Sequence, residues 1–214
     1  MRVGIIGATG RAGARIAEEA AARGHQVRAL VRDARSLPSR YESVVEKAVL
    51  DLEAADLRGL DVLVSAYGVP LDREAEHLPV IEHLIGLLRG SPTRLIVVGS
   101  AGHLFTDASR TRRYYEAELP AGPLRSGSRI LQQVNQRLLD SAGVTWTYLA
   151  PAVEFLPEGP RTGSYQLGGD VVLRDPSGRS HISYADYALA VLDEAERPRA
   201  TNRTATVATT DPAA

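Results

Sequence analysis

The sequence contains no cysteine among its 214 residues. Disulfide bonds, thiolate catalysis and cysteine-ligated metal sites are therefore excluded. Lysine is almost as scarce, because Lys47 is the one lysine among 25 basic residues. Any catalytic machinery that depends on a lysine is thus limited to a single position.

The charge and hydropathy of the chain argue against two classes of partner. A formal net charge of -1 lacks the basic excess of nucleic-acid binders. No apolar run approaches the roughly 20 residues that span a bilayer. The chain begins directly with a strand-like run and shows no charged leader. We therefore expect a cytoplasmic protein, monomeric or homodimeric, that binds neither nucleic acid nor membrane.

Short β-rich runs and helical patterns alternate up to residue 150. Such alternation predicts parallel βαβ units in a single doubly wound, Rossmann-type α/β domain. The predicted strands are residues 2–6, 26–31, 43–51, 61–68, 93–100 and 144–150, and the predicted helices are residues 11–25, 73–90 and 128–143.

The pattern changes after Pro151. Residues 151–170 are rich in glycine and proline and have no long period, and such a segment is too long for an ordinary connection. We expect residues 151–183 to form a small C-terminal lobe that covers a substrate. Further strands are predicted at residues 170–175 and 204–209, with a helix over residues 185–198 between them.

Glycine recurs at every third position directly after the first predicted strand, in GIIGATGRAG. Gly7 permits a tight turn, Gly10 lets the backbone approach a pyrophosphate, and Gly13 lets the following helix lie close to the strand. The helix N-terminus then faces the phosphates. Since a strand, a helix and a second strand occur at the expected distances, the motif predicts a dinucleotide site.

The residues after the second predicted strand bear on which dinucleotide binds. An acidic residue about 20 positions beyond the motif, here Asp33, would bind the ribose of NAD. The strand is predicted to end at Val31, however, so Arg32 leaves it first and Arg35 follows, and arginine suits a 2′-phosphate. The two alternatives differ by one residue in where the second strand ends. We favour NADP(H) over NAD(H).

The ends of the later strands supply further candidates for cofactor binding, because ligands of doubly wound sheets lie at the carboxyl ends of the strands. Asp51 could accept a hydrogen bond from the adenine amino group, or serve as an ordinary helix cap. The other candidates are Ala66, Tyr67 and Gly68 after the fourth strand, Ser100 after the fifth and Pro151 after the sixth.

Six stretches that span nearly the whole chain are similar to one family: GATGRAG, VRALVRDARSLP, RLIVVGSAG, GVTWTYLAPAVEF, RTGSYQLGGD and HISYADYALAVLDEAERP. Together they resemble the atypical short-chain dehydrogenase/reductases, in particular a group named for NADH-flavin reductase activity, with biliverdin reductase B as a more distant relative. The resemblance implies an NAD(P)H-dependent reductase. It also implies cofactor contacts from Gly7, Thr9, Gly10, Arg11, Ala12, Arg32, Asp51, Leu52, Ser100 and Pro151.

Most short-chain dehydrogenases use a tyrosine, with a lysine four residues later, to protonate the developing alkoxide. None of the eight tyrosines here has lysine at that spacing, and Gln132 and Gln136 occupy the helix where related atypical members often carry lysine and glutamate. A simple ketone needs a placed proton, whereas a reduced flavin or quinone is a far weaker base that water can protonate. The absence of the pair favours a planar conjugated acceptor, or no redox turnover.

Three residues are candidates for a catalytic role. Ser100 and His103 are expected at the nicotinamide edge, and histidine is suited to moving protons near neutral pH. Tyr115 follows in a predicted loop with Tyr114 and Phe105, where it could cover a flat acceptor. Two of these candidates have a structural alternative: His103 could be a loop histidine in solvent, and Tyr115, with the other aromatic residues, could be packing that closes the loop.

Two further polar residues are interpreted as structural. His181 could approach the site but suits a capping or core role, and Asp186 precedes an apolar helix. His77 and His83 are six residues apart on one predicted helix and point to different faces, so no metal site is expected. A Ser-His-Asp hydrolase is also disfavoured, because no G-x-S-x-G elbow occurs.

The sequence therefore predicts an NADP(H)-dependent reductase whose acceptor is a flavin, a quinone or a similar conjugated molecule. Its main contributions would be to position the reactants and to exclude water. Two alternatives stay open. One is a redox sensor that binds NADP(H) without turnover, and the other is an isomerase or cyclase that uses the dinucleotide without net redox change.

Overall fold

The computed structural model describes residues 1–35, 37 and 41–209. The strands are β1 Arg2–Ile6, β2 Gln26–Val31, β3 Ser43–Glu46, β4 Val62–Ser65, β5 Arg94–Val98, β6 Trp146–Ala150, β7 Glu154–Leu156, β8 Gln166–Gly168, β9 His181–Ser183 and β10 Arg203–Ala208. The helices are α1 Arg11–Ala22, α2 His77–Leu88, α3 Tyr114–Ala117, α4 Pro123–Leu139 and α5 Tyr184–Glu196.

Eight strands form one central sheet in the order β3-β2-β1-β4-β5-β6-β10-β8. All of its neighbours are parallel except β8, which runs antiparallel to β10. The order of the first six strands is that of doubly wound dinucleotide-binding folds, so the predicted fold class is confirmed. β7 and β9 pair in a separate two-stranded parallel sheet.

Helices cover both faces of the central sheet, because its inner strands are apolar on both sides. β4, for example, is buried at all four positions. α1 and α5 pack on one face, where Ile16 and Tyr187 are fully buried. α2 and α4 pack on the other, with Leu84 and Leu138 in the core. Within the described residues, no helix is both long and apolar enough to cross a membrane.

The third strand is shorter than predicted. It ends at Glu46 rather than at Asp51, because its partner β2 ends at Val31. The N–H of Lys47 still donates to the Val31 carbonyl, and beyond it no backbone is left to pair with. Val49–Asp51 form a 3₁₀ turn instead. The predicted extent of this strand was wrong.

The strand predicted at residues 170–175 was also wrong. The edge of the sheet is taken by Gln166–Gly168, which pair with β10. Asp175 belongs to a turn, since its Oδ1 accepts hydrogen bonds from the N–H groups of Ser177 and Arg179. Local turn chemistry of this kind competes with strand formation.

Residues 151–183 contribute to both sheets and are anchored on α5. The fully buried Asp186 accepts hydrogen bonds from the Thr162 N–H, the Thr162 hydroxyl and the Gly163 N–H, at 3.1, 2.7 and 2.9 Å. Asp186 therefore has the structural role expected from the sequence. That residues 151–183 cover a substrate stays a prediction.

Candidate functional site

A cleft of about 660 Å³ opens at the carboxyl ends of β1, β2, β4 and β5, where the strand order reverses. Ligands of doubly wound sheets bind at this point. Of the candidates for cofactor binding, those that line the cleft are Gly7, Thr9, Gly10, Arg11, Ala12, Arg32, Leu52, Ala66, Tyr67 and Gly68. Those that do not are Gly13, Arg35, Asp51, Ser100 and Pro151.

The glycine turn brings backbone N–H groups to the cleft. Gly7 has φ +77°, and a Cβ there would lie 2.5 Å from the Ala66 carbonyl oxygen. Gly13 lies beneath the turn, where a Cβ would collide with the Gly7 carbonyl. Gly10 is the N-cap of α1 and has no side chain to cap the helix, whose first turn carries no acid. These residues fit a pyrophosphate held by the helix N-terminus.

Basic side chains dominate the charge of the cleft. Arg11, Arg32, Lys47 and Arg73 line it, and among the described residues Glu74 is the one acidic residue that does so. Such an excess raises the local concentration of anionic ligands. The wall is therefore suited to a ligand with several phosphate charges.

Arg32 and Asp33 both follow the end of β2, but they have different surroundings. The strand ends at Val31, so Arg32 is the first residue beyond it and lines the cleft. Asp33 does not line the cleft and is paired with Arg35, whose Nε lies 2.9 and 3.0 Å from the two carboxylate oxygens. The hydrogen bond from Arg35 lowers the pKa of Asp33. Arg35 is thus engaged outside the cleft, which corrects its expected place at a 2′-phosphate.

Lys47 lines the cleft and was not identified as a binding candidate from the sequence. The β2–β3 register pairs Val31 with Glu46, which brings Lys47 beside the end of β2. Its Nζ lies 2.8 Å from Asp56 Oδ2, and this hydrogen bond raises the pKa of Lys47. Lys47 is the only lysine of the chain, and this was the signal that could have identified it, although the predicted strand over residues 43–51 placed it in the middle of a strand.

Asp51 and its neighbour Leu52 differ in burial and in position relative to the cleft. Leu52 is buried and lines the cleft, whereas Asp51 is exposed in the 3₁₀ turn and does not. Because β3 ends earlier than predicted, Asp51 is not at a strand end. The structure therefore does not support Asp51 as the residue that binds adenine.

The part of the cleft beside the end of β5 is apolar and aromatic. It is lined by Val98 and Gly99 at the end of β5, Leu131 of α4, Phe155 and Tyr184. The Phe155 and Tyr184 ring centroids are 3.9 Å apart, and the Arg11 guanidinium lies 6.0 Å from the Tyr184 centroid. Flat apolar walls of this kind suit a planar ligand. Phe155 and Tyr184 were missed because long-range packing, not local pattern, brings them together.

Ser100 and His103 lie behind the wall of the cleft and not at its surface. The Ser100 Oγ accepts a hydrogen bond from the Gly102 N–H at 3.1 Å, and the His103 side chain is enclosed. Burial, aided by the positive charge of Arg113, lowers the pKa of His103 to about 4. The structure thus corrects the expected position of His103, and its alternative as a histidine in solvent was wrong.

Tyr115 is also outside the cleft. It lies on α3 and is buried, and its hydroxyl is 2.9 Å from Gln132 Oε1 and 3.1 Å from Glu116 Oε1. Burial raises the pKa of Tyr115. These contacts fit the packing role that was left open for Tyr115 better than a cover over an acceptor. Pro151, after β6, is buried and likewise does not line the cleft.

The remaining histidines are in different surroundings. His77 lines the cleft, with its ring edge-on to Tyr67 at 5.3 Å, and burial lowers the pKa of His77. His83 faces elsewhere and donates from Nε2 to the Leu52 carbonyl at 2.9 Å. His181 is a core residue, 3.7 Å from Asp175.

Known proteins resemble this chain in sequence and in fold. A family model described as NAD(P)H-binding matches residues 7–198. The Bacillus subtilis (strain 168) protein YwnB is 43% identical over 209 residues, which cover 97% of this chain and 98% of YwnB.

Solved structures with the same fold include SP1627 from Streptococcus pneumoniae TIGR4, described as "a putative NADH-flavin reductase". It is 34% identical with a TM-score of 0.93, and the match covers 98% of this chain and 100% of SP1627. ChuY, an anaerobillin reductase from Escherichia coli O157:H7, shares the fold: it is 21% identical with a TM-score of 0.71, and the match covers 99% of this chain and 98% of ChuY. The resemblance found in the sequence is confirmed, and the chain belongs to the NAD(P)H-binding family.

Proposed function

We propose that this protein is an NADP(H)-dependent reductase that passes a hydride to a planar conjugated acceptor, such as a flavin or a quinone. One observation carries the proposal. A single cleft joins a basic end, with Arg32 and Lys47, to an apolar end walled by Phe155 and Tyr184. The first end suits a phosphorylated dinucleotide, and the second suits a flat ring stacked near it.

Cofactor binding follows from the groups at the basic end. The first turn of α1 holds the pyrophosphate through its N–H groups. Arg32 binds the 2′-phosphate through charge-assisted hydrogen bonds, because Asp33 is paired with Arg35 and does not compete from the cleft. Bound NADPH supplies a hydride from its nicotinamide ring.

The supply of protons limits the class of acceptor. The chain has no tyrosine with a lysine four residues later, and the buried His103 is neutral near pH 7 because its pKa is about 4. An acceptor whose reduced form takes a proton from water suits these residues better than a ketone does. The description of SP1627 supports the same class of acceptor.

The test is a comparison of acceptors under steady-state conditions. The purified protein is given NADPH with FMN, with a naphthoquinone or with a simple ketone, and oxidation of NADPH is followed. We expect turnover with FMN and with the quinone, and none with the ketone. Turnover with the ketone alone would contradict the proposal. Tight NADPH binding without oxidation by any acceptor would favour the redox-sensor alternative.

A further inference from the structure

Lys47 is unusual both in residue type and in position. Every other one of the 25 basic residues of the chain is arginine, so positions that accept either cation carry arginine. The one lysine lines the cleft. Arginine and lysine are not interchangeable, because an ammonium is a compact charge with three donors on a flexible stem. The retained lysine therefore indicates a role in the cleft that a guanidinium does not fill.

The backbone places Lys47 beside Arg32. In the parallel pairing of β2 with β3, Val31 is the partner of Glu46. The N–H of Lys47 donates to the Val31 carbonyl at 2.9 Å, which extends this pairing by one residue. Arg32 and Lys47 are thus the first residues beyond two neighbouring strand ends, and neighbouring strands are about 4.8 Å apart.

The same pairing directs both side chains to one face of the sheet. Side chains alternate between the two faces along a strand. Leu30 and Val45, which are partners two residues before Arg32 and Lys47, both pack in the core under α2 and α4. Arg32 and Lys47 therefore project on that face, and both line the cleft. A phosphate bound by Arg32 lies within reach of the flexible lysine stem.

Carboxylates hold the Lys47 ammonium without enclosing it. Its Nζ lies 2.8 Å from Asp56 Oδ2 and 3.5 Å from Glu53 Oε2, and the lysine side chain is 36% exposed. One close carboxylate occupies one of the three ammonium donors, so donors stay free for a ligand. Asp56 is therefore the counter-ion of Lys47 in the ligand-free protein.

We propose that Lys47 is the second cation of the 2′-phosphate site and that, with Arg32, it determines the preference for NADP(H) over NAD(H). A phosphate monoester carries a charge of roughly −1.5 to −2 near pH 7, so a single guanidinium leaves part of it unbalanced. NADH has a hydroxyl in this place, so the contribution of the ammonium falls on NADPH alone. This inference rests on the proposed function, and it adds the residue that completes selection of the cofactor.

The single lysine allows a direct test that needs no turnover. The protein is reductively methylated with 2′,5′-ADP or with 5′-AMP bound at equal occupancy, and methylation of Lys47 is measured by mass spectrometry of its peptide. We expect 2′,5′-ADP to protect Lys47 severalfold more than 5′-AMP does. The α-amino group of Met1 is the internal reference, because it lies beside His25 and does not line the cleft. Its methylation should be the same with either nucleotide.

A substitution tests the same role by affinity. Lys47→Met should weaken binding of 2′,5′-ADP about tenfold or more in calorimetry, as a lost hydrogen bond between charged groups implies. Binding of 5′-AMP should stay nearly unchanged, because it lacks the 2′-phosphate.

Two control variants separate a ligand role from support of the neighbouring loop. Arg28→Met removes another cation that anchors this loop, through the carbonyls of Asp56 and Arg58 at 2.8 and 3.2 Å, and Arg28 does not line the cleft. It should affect the two nucleotides alike. Asp56→Asn removes the counter-ion and keeps a side-chain oxygen for the Glu53 N–H. It should not weaken binding of 2′,5′-ADP.

Three results would overturn the inference. The two nucleotides could protect Lys47 equally. Lys47→Met could weaken 5′-AMP as much as 2′,5′-ADP, which would assign the lysine to the wall around the adenosine. Asp56→Asn could reproduce the loss seen in Lys47→Met, which would make the ion pair a structural one. These measurements report binding and not hydride transfer. NADPH oxidation with FMN, together with any of these results, removes the role of Lys47 alone, whereas selective protection without NADPH oxidation leaves that role and removes the reductase.

Discussion

The Nδ1–H of His103 donates a hydrogen bond to the carbonyl oxygen of Ser100 at 2.9 Å, in a side chain that is 1% exposed. The imidazole edge also packs against Tyr148, with ring centroids 4.8 Å apart. Tyr148 in turn fills the space beside Gly99, which lines the cleft. His103 therefore supports the floor of the cleft from behind, and its imidazole does not face a ligand.

The first prediction concerns turnover without His103. His103→Asn keeps a nitrogen donor near the Ser100 carbonyl, and it should lower kcat with a flavin or quinone less than about tenfold. A positioned general acid would contribute roughly 100- to 10,000-fold. Stopped-flow measurement of NADPH oxidation across pH checks this. A hundredfold loss together with a bell-shaped profile in the histidine range would make His103 the acid and a carbonyl compound the substrate.

The second prediction concerns stability and pH. Burial depresses the pKa of His103 from 6.5 to about 4, so between these values the unfolded chain binds a proton that the folded protein does not. The contribution of the neutral imidazole to the free energy of unfolding is therefore fully present above pH 6.5. It is lost as pH falls toward 4, with a total loss of about 3 kcal/mol. Urea unfolding at several pH values should show a shallower dependence in His103→Asn. Equal slopes in the two proteins would count against a neutral buried imidazole.

The sequence predicted the features that depend on local pattern. The β-rich run that stops before Arg32 predicted the end of β2 at Val31, and the glycine spacing predicted the turn. The end of β3 could not be predicted in this way, because it depends on where β2 ends and provides no further hydrogen-bond partners. The burial of His103 did not follow either, since Tyr148, 45 positions later in the sequence, encloses it.

Glu74 illustrates the same limit within the candidate site. The stretch REAEHL indicates a helix start and gives no sign that one carboxylate oxygen, Glu74 Oε1, has no hydrogen-bond partner. Its oxygen is enclosed because α4 brings Gly127 against it, and this contact depends on the packing of two helical segments far apart in sequence. Contacts of this kind are set by tertiary structure and leave no periodic signal.

The third prediction concerns the choice of dinucleotide. Arg32→Ala should weaken NADPH binding by on the order of 1.5–3 kcal/mol, as a lost charged hydrogen bond implies, and should leave NADH binding nearly unchanged. Arg35→Ala is the matched control, because that side chain is exposed and paired with Asp33 outside the cleft. Calorimetry with both dinucleotides measures the difference. If the wild type binds NADH as tightly as NADPH, the role given to Arg32 is wrong.

The fourth prediction concerns the segment that was expected to cover the substrate. Hydrogen exchange around Phe155 should slow when NADPH and a planar acceptor are both added, because Phe155 lines the cleft. Residues 162–168 should change little, since Asp186 and β10 already fix them in the absence of ligand. Unchanged exchange at Phe155, or protection confined to residues 162–168, would argue against a cover at this position.

Direct hydride transfer within one cleft is the central claim, and an anaerobic single-turnover experiment tests it most directly. The protein is loaded with one equivalent of NADPH and mixed in a stopped-flow instrument with excess lumiflavin. We expect NADPH oxidation and flavin reduction to proceed together, in equal amounts and in one phase, at a rate far above that of the protein-free mixture. Bound NADPH that is not oxidised, or is oxidised no faster than without protein, would contradict the account.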